Sequence, residues 1–135
     1  DGRYNLLVRG VARAAIGAEL PPDRPYREVH AFLPPEIPAT SLELVETIRR
    51  CVLDISQSLN PAVAGPLLTA LAHADDPSTL CDMVGATLII EPDARQRVLE
   101  ATDVQKRLDI VVGELGGVLL KLRAVAGDGG FEFMM

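Results

Sequence analysis

Basic charge is the first thing in short supply: 13 Lys and Arg stand against 19 Asp and Glu, giving a formal net charge of −6 and a pI near 4.8. Gripping a phosphate backbone requires clustered Lys and Arg, so no nucleic-acid partner is expected. The imbalance is uneven along the chain. Through Leu33 five Arg meet four acids, a balance of +1, whereas from Pro34 onward eight basic residues meet fifteen acidic ones, a balance of −7. The first part has no basic stripe, which makes an RNA-binding module a weak reading.

Histidine and cysteine are nearly absent. His30 and His73 are the only histidines, and neither has a His or Cys three or four residues away to complete a metal-binding face. Each reads as a surface or strand-face side chain. Cys51 and Cys81 show no CxxC spacing, and they read as reduced thiols packed like small hydrophobes in a cytoplasmic, reducing compartment. No run approaches the ~18 apolar residues of a membrane span. No basic region with an apolar core opens the chain, so neither a membrane nor a secretory route is expected. A chain that starts at Asp1 rather than Met reads as a piece of a longer gene product.

Catalytic signatures are missing as well. The sequence contains no P-loop, no GxGxxG and no GxSxG, so phosphate cradles and nucleophile elbows are not expected. Ser41, Ser56, Ser58 and Ser78 each lack an evident base. Asp75-Asp76 offers paired carboxylates of the sort used in acid-base or metal work, but the following Pro77 makes a helix cap the better reading. No enzyme activity, metal or cofactor is expected. There is no internal repeat and no low-complexity tract.

What is present is enough apolar material for a core, with 48% of 135 residues hydrophobic. The first third reads as strands: Tyr4 to Arg9, Val11 to Leu20, and Tyr26 to Leu33, separated by Gly10 and by the loop Pro21-Pro22-Asp23-Arg24-Pro25. Alternation places Ile16 among the alanines of one strand face, and places Tyr26 and Phe32 together on one face of the third strand. Ile16, Tyr26 and Phe32 are the candidate peptide contacts. An open strand edge beside them can take an extended polypeptide by main-chain hydrogen bonds. Equally, the edges can pair with strands upstream of Asp1, and Tyr26 and Phe32 can be core.

The remainder reads as helices. Thr40 or Ser41 caps the first, whose apolar stripe Leu44, Ile48, Cys51 or Val52, Ile55 and Leu59 runs to about Asn60. Pro61 and Gly65-Pro66 break it, with Pro66 opening a second helix to about His73. Asp76-Pro77 opens a third, Glu91-Pro92-Asp93 a fourth through Ala101, and Thr102 or Asp103 a fifth to about Leu122. Gly127, Gly129 and Gly130 end regular structure before Phe131-Glu132-Phe133-Met134-Met135, a tail that can dock on a neighbour or stay disordered. The basic pairs Arg49-Arg50 and Lys106-Arg107 read as solvated surface or ion-pair partners.

The order of these features resembles the N-terminal, substrate-handling domain of Lon proteases. The features are Leu59-Asn60 at a helix end, Leu67-Leu68 before Asp75-Asp76-Pro77, then Leu80 and Asp82, Arg97-Val98-Leu99-Glu100-Ala101, and Asp103-Val104 before Arg107-Leu108. Val8-Arg9-Gly10-Val11-Ala12-Arg13-Ala14 is similar to that family's V-x-G-x-x-R-A turn. The resemblance covers roughly residues 1 to 122. It implies an α+β fold, a PUA-like sheet followed by a bundle of about five helices. It also implies recognition of unfolded or degron-bearing polypeptides, a contribution to oligomer assembly, and no catalytic residue. Gly10, Arg13, Asp76, Pro77, Leu80 and Asp103 match as turn, cap and core positions.

Two departures stand out. The family's strand-rich opening is missing, which leaves a partial sheet with unpaired edges and a route to homo-oligomers. The glycines after Ala126 also interrupt the long helix that leads to the ATPase of the protease. The expected organisation is a β subdomain over 1–38, a helical bundle over 39–126 and a flexible tail over 127–135. The expected role is non-catalytic recognition of protein substrates in a Lon-type system. A structural or oligomerisation scaffold is the alternative.

Overall fold

The structure is a computed structural model that describes residues 1–127, so the expected tail from residue 128 onward lies outside the described residues. The chain divides into two compact units, Asp1–Pro35 and Glu36–Met135. Two strands and five helices follow one another in an α+β arrangement.

In the first unit, β1 (Ala15–Glu19) and β2 (Val29–Phe32) form a two-stranded antiparallel ribbon. Ala15 stands opposite Phe32, Ile16 opposite Ala31 and Glu19 opposite Val29, with an irregularity between Ile16 and Glu19 that gives β1 an extra residue. Gly17 lies in that bulge. A Cβ on it would stand 3.1 Å from the carbonyl oxygen of His30, so the close approach of the two strands there favours glycine. Past the bulge, the Leu20 N–H donates to Glu28 O at 2.8 Å. The Arg27 guanidinium spans both carboxylate oxygens of Glu19 at 2.7 and 3.0 Å. That pairing holds the Glu19 carboxyl below its ordinary value.

The strand expected at Tyr4 to Arg9 does not form, and the strand expected from Val11 begins at Ala15. A lone apolar strand needs a partner for its backbone and a surface for its side chains. Here Tyr4, Leu6, Leu7 and Val8 are all strongly exposed.

The second unit holds α1 (Glu43–Ser56), α2 (Pro61–His73), α3 (Pro77–Leu88), α4 (Pro92–Glu100) and α5 (Val104–Gly127). Three of these open alike, with an acceptor side chain followed by proline at the first helical position. Asn60 accepts from the Ala62 N–H, Asp76 from the Thr79 N–H and Glu91 from the Asp93 N–H, at 2.9, 2.9 and 3.1 Å. Each bond satisfies one of the N–H groups a helix start leaves unpaired, and the proline there lacks an N–H to satisfy. α2 therefore begins at Pro61 rather than Pro66, which lies inside the helix and forgoes one bond. α1 ends at Ser56, before the expected Asn60, and α5 runs to Gly127, beyond the expected Leu122. At the α1 start Ser41 Oγ accepts from the Glu43 N–H at 3.3 Å, while Leu42 occupies the cap position without a side-chain bond. The Gln105 side chain completes this corner by accepting from the N–H groups of Thr40 and Ser41.

α5 packs against α1, α3 and α4. Its stripe Val104, Leu108, Val111 and Leu115 meets Ile48, Val52 and Ile55 of α1 and Leu80, Val84 and Leu88 of α3 in one core. Gly85 sets the spacing between α3 and α4, because a Cβ there would lie 3.2 Å from Val98 Cγ1. Cys81 is fully buried, Cys51 is half-buried with its thiol pushed up chiefly by burial, and neither forms a disulfide.

Asp76 supplies a prediction. Its carboxyl accepts from the Thr79 hydroxyl at 2.5 Å as well as from the Thr79 N–H, and the hydroxyl first, then the N–H, hold it below the usual carboxylate range. The folded value is lower than the unfolded one, so this stabilisation is fully present above about pH 4 and fades as pH falls through the lower folded value. Asp76→Ala should lose about 0.5–2 kcal/mol at neutral pH. In thermal melts the gap between the two proteins should narrow on acidification. A gap unchanged at pH 2 would show that the carboxylate is not its source.

Candidate functional site

Two features of the described residues invite a functional reading, one in each unit. In the first unit the ribbon carries apolar side chains in the open: Ile16 is 76% exposed, Phe32 61% and Tyr26 56%. Residues directly opposite each other in an antiparallel pair share a face. Ile16 therefore shares its face with Ala31, and Phe32 shares the other with Ala15. Tyr26 lies in the bend before β2, where Arg24 donates to its hydroxyl at 2.8 Å and stands 5.9 Å from its ring centre. The ribbon thus places Ile16 and Phe32 on opposite faces and Tyr26 outside the paired strands. Among the described residues each strand has one partner, so each presents a second edge of main-chain donors and acceptors.

In the second unit the sharpest polar feature is Arg107, whose side chain is fully buried. Its Nε and Nη2 donate to Ala101 O at 2.9 and 2.7 Å, and its Nη1 donates to Ser78 Oγ at 2.7 Å. Glu36 Oε2 lies 3.3 Å from Nη2, and Asp82 Oδ1 lies 3.5 Å from Nη1. Of the two readings of the Lys106-Arg107 pair, solvated surface does not hold for Arg107, which is buried, whereas ion-pair partner does, through Glu36 and Asp82. Arg107 stands between Val104 and Val111 on the buried stripe of α5, at the three- and four-residue spacing of a core position, and that spacing was the available signal.

Arg107 belongs to a set. Arg49 donates to Leu71 O and Ala74 O at the end of α2, Arg95 to Ile89 O and Ala86 O at the end of α3, and Arg107 to Ala101 O at the end of α4. Each guanidinium supplies the donors that a helix C-terminus lacks and brings positive charge to the negative end of its dipole. These arginines are structural ties between consecutive helices.

An apolar cleft of about 340 Å³ opens between Leu88, Ile89 and Ile90 of the α3–α4 turn and Gly117 and Val118 of α5, with Lys121 beside them. His30 and His73 are both exposed. Among the described residues no three His, Cys, Asp or Glu side chains gather in a way that would hold a metal ion, and no helix is long and apolar enough to cross a membrane.

Comparison with known proteins adds the missing context. The family model of the ATP-dependent protease La (LON) substrate-binding domain matches residues 1–116. Among curated proteins, Lon protease 1 of Syntrophobacter fumaroxidans is 28% identical over 116 residues, covering 85% of this chain and 14% of that protein. The Lon protease of Desulfovibrio desulfuricans is 31% identical over 118 residues, covering 85% and 13%. That of Paraburkholderia phytofirmans is 31% identical over 130 residues, covering 91% and 15%. No solved structure gave a significant match. The chain thus spans about one seventh of the length of these relatives, in the part described as substrate-binding rather than catalytic. Because that family model matches residues 1–116, most of the chain, the protein belongs to the Lon substrate-binding domain family.

Proposed function

We propose that this chain takes hold of unfolded or degron-bearing polypeptides in a Lon-type, ATP-dependent proteolysis system and does no chemistry itself. The observation that carries the reading is the ribbon of the first unit, where Ile16 and Phe32 are exposed beside strand edges with main-chain groups to offer. An extended segment adds to such an edge by backbone hydrogen bonds, while the exposed side chains supply apolar contact. Family membership supports a substrate-handling role. The setting we assign is cytoplasmic, supported by two thiols that form no disulfide. The same edges give copies of the chain a means of pairing with each other.

Titration of the full chain with a permanently unfolded, cysteine-blocked model protein tests this. Saturable binding in the range of about 1 μM to 1 mM is expected, because ordering a flexible ligand consumes much of the contact energy. Ile16→Asp and Phe32→Asp probe the two faces separately, and at least one should weaken binding by about tenfold. No binding up to about millimolar concentration would sink the proposal. A defined oligomer in sedimentation together with no polypeptide binding would favour a scaffold.

A further inference from the structure

The apolar cleft of the bundle measures about 340 Å³, a size typical of small binding sites. Leu88 and Ile89 line it as buried residues, and Ile90 is 60% exposed at its edge. Gly117 and Val118 of α5 line it from the other side. Neither backbone nor packing calls for the glycine. Its φ is negative, and a Cβ built on it would meet nothing within 4 Å among the described residues. Glycine is also a poor residue for a helix interior. At this position it leaves the cleft wider than any other side chain would.

The charges around the cleft lean one way. From Glu36 to Gly127 thirteen acidic residues meet eight basic ones, a balance of −5, and three of the eight, Arg49, Arg95 and Arg107, are turned onto helix carbonyls. Two of the acids, Glu91 and Glu114, line the cleft itself. Each engages one oxygen, Glu91 with the Asp93 N–H and Glu114 with Arg97, and the second oxygen of each has no partner among the described residues. The lining cation, Lys121, lies seven residues beyond Glu114 on α5, a separation of about 10 Å along the helix. A cation at the Glu114 end therefore meets a carboxylate and stays clear of Lys121.

We propose that the cleft seats an apolar side chain of a client polypeptide with Lys or Arg as its neighbour, the cation lying at the Glu114 end. The apolar lining supplies contact, and the acidic surface supplies discrimination, because an acidic neighbour would be repelled there. This seat presupposes that the chain holds polypeptides, as proposed above. It adds a second place of contact and a client chemistry, apolar residues set among basic ones.

Titration of the full chain with two short capped peptides tests it, one with a pair of leucines between lysines and one with glutamates replacing the lysines. The lysine peptide should bind at least about tenfold more tightly at low salt, and this advantage should shrink at about 0.5 M salt. Gly117→Leu should weaken the lysine peptide about tenfold without lowering the melting temperature, because leucine suits a helix better than glycine and its Cβ has room. Lys121→Glu, a change at an exposed position, should tighten it a few-fold. Equal binding of the two peptides would overturn the cleft as a client seat, as would full binding by Gly117→Leu or no binding up to about 1 mM. So would loss of the lysine peptide in Ile16→Asp or Phe32→Asp, which would place it on the ribbon. A dimer of the chain that Gly117→Leu breaks would also overturn it, by making a second copy the occupant. An unfolded protein that still binds while the lysine peptide does not would leave the ribbon reading intact and refute the cleft alone.

Discussion

Arg107→Ala should cost the helical unit about 3–5 kcal/mol, the penalty expected when one member of a buried charged cluster is removed. Four partners lose their donor at once: the Ala101 carbonyl, the Ser78 hydroxyl and the carboxylates of Glu36 and Asp82. The two carboxylates are half-exposed and recover water, so the larger share of the loss comes from the carbonyl at the α4 terminus and from the void left by a fully buried side chain. At about 4–8 °C per kcal/mol for a domain of 60–100 residues, the melting temperature should fall by more than roughly 12 °C. Arg107→Lys should recover only part of this, because an ammonium cannot offer the guanidinium's fork to acceptors on several sides. A loss below about 1 kcal/mol in Arg107→Ala would mean that water fills the site and that the cluster does not knot the helices together.

Much of this architecture is legible in the sequence because helix starts are written locally. Asp76-Pro77 and Glu91-Pro92 are cap and first-turn pairs whose chemistry needs nothing from the rest of the chain, and both open helices as expected. Asn60-Pro61 has the same form, but the nearby Pro66 is the more conspicuous breaker. A helix tolerates a proline at its sixth position at the cost of one hydrogen bond when the surrounding packing holds it. Helix ends are written elsewhere. Those of α2, α3 and α4 are closed by Arg49, Arg95 and Arg107, side chains distant in sequence from the carbonyls of α2 and donated by neighbouring helices in each case. No local pattern announces that a guanidinium will reach a particular carbonyl.

The motif that signalled the family acquires a physical meaning in the structure. Asp76 and Asp103 cap α3 and α5, Leu80 and Leu108 are fully buried, and Arg107 ties three helices and the incoming strip. The candidate contacts fared differently. Strand alternation placed Tyr26 and Phe32 on one face, but β2 begins only at Val29 and Tyr26 lies in the bend before it, and cross-strand pairing sets Ile16 opposite Ala31 while Phe32 stands opposite Ala15. The ribbon therefore shows two faces, with Ile16 on one and Phe32 on the other.

Leu108→Ala should cost about 2–5 kcal/mol, the range for truncating a buried leucine whose surroundings collapse only partly. Leu108 is fully buried on the helix that packs against α1, α3 and α4, so no single neighbour can shift to fill the void without leaving another contact. Against a total stability of about 5–15 kcal/mol, such a loss removes a large fraction of the folded state's margin. Leu120 gives an internal control on the same helix, because it is 69% exposed and its replacement by alanine should change stability by no more than about 0.5 kcal/mol. Urea unfolding followed by circular dichroism reads both, with the midpoint moving in Leu108→Ala and the slope unchanged. Equal losses at the two positions would mean that the exposed second half of α5 is covered by another copy of the chain in solution. A negligible loss at Leu108 would mean that α5 does not hold the bundle together.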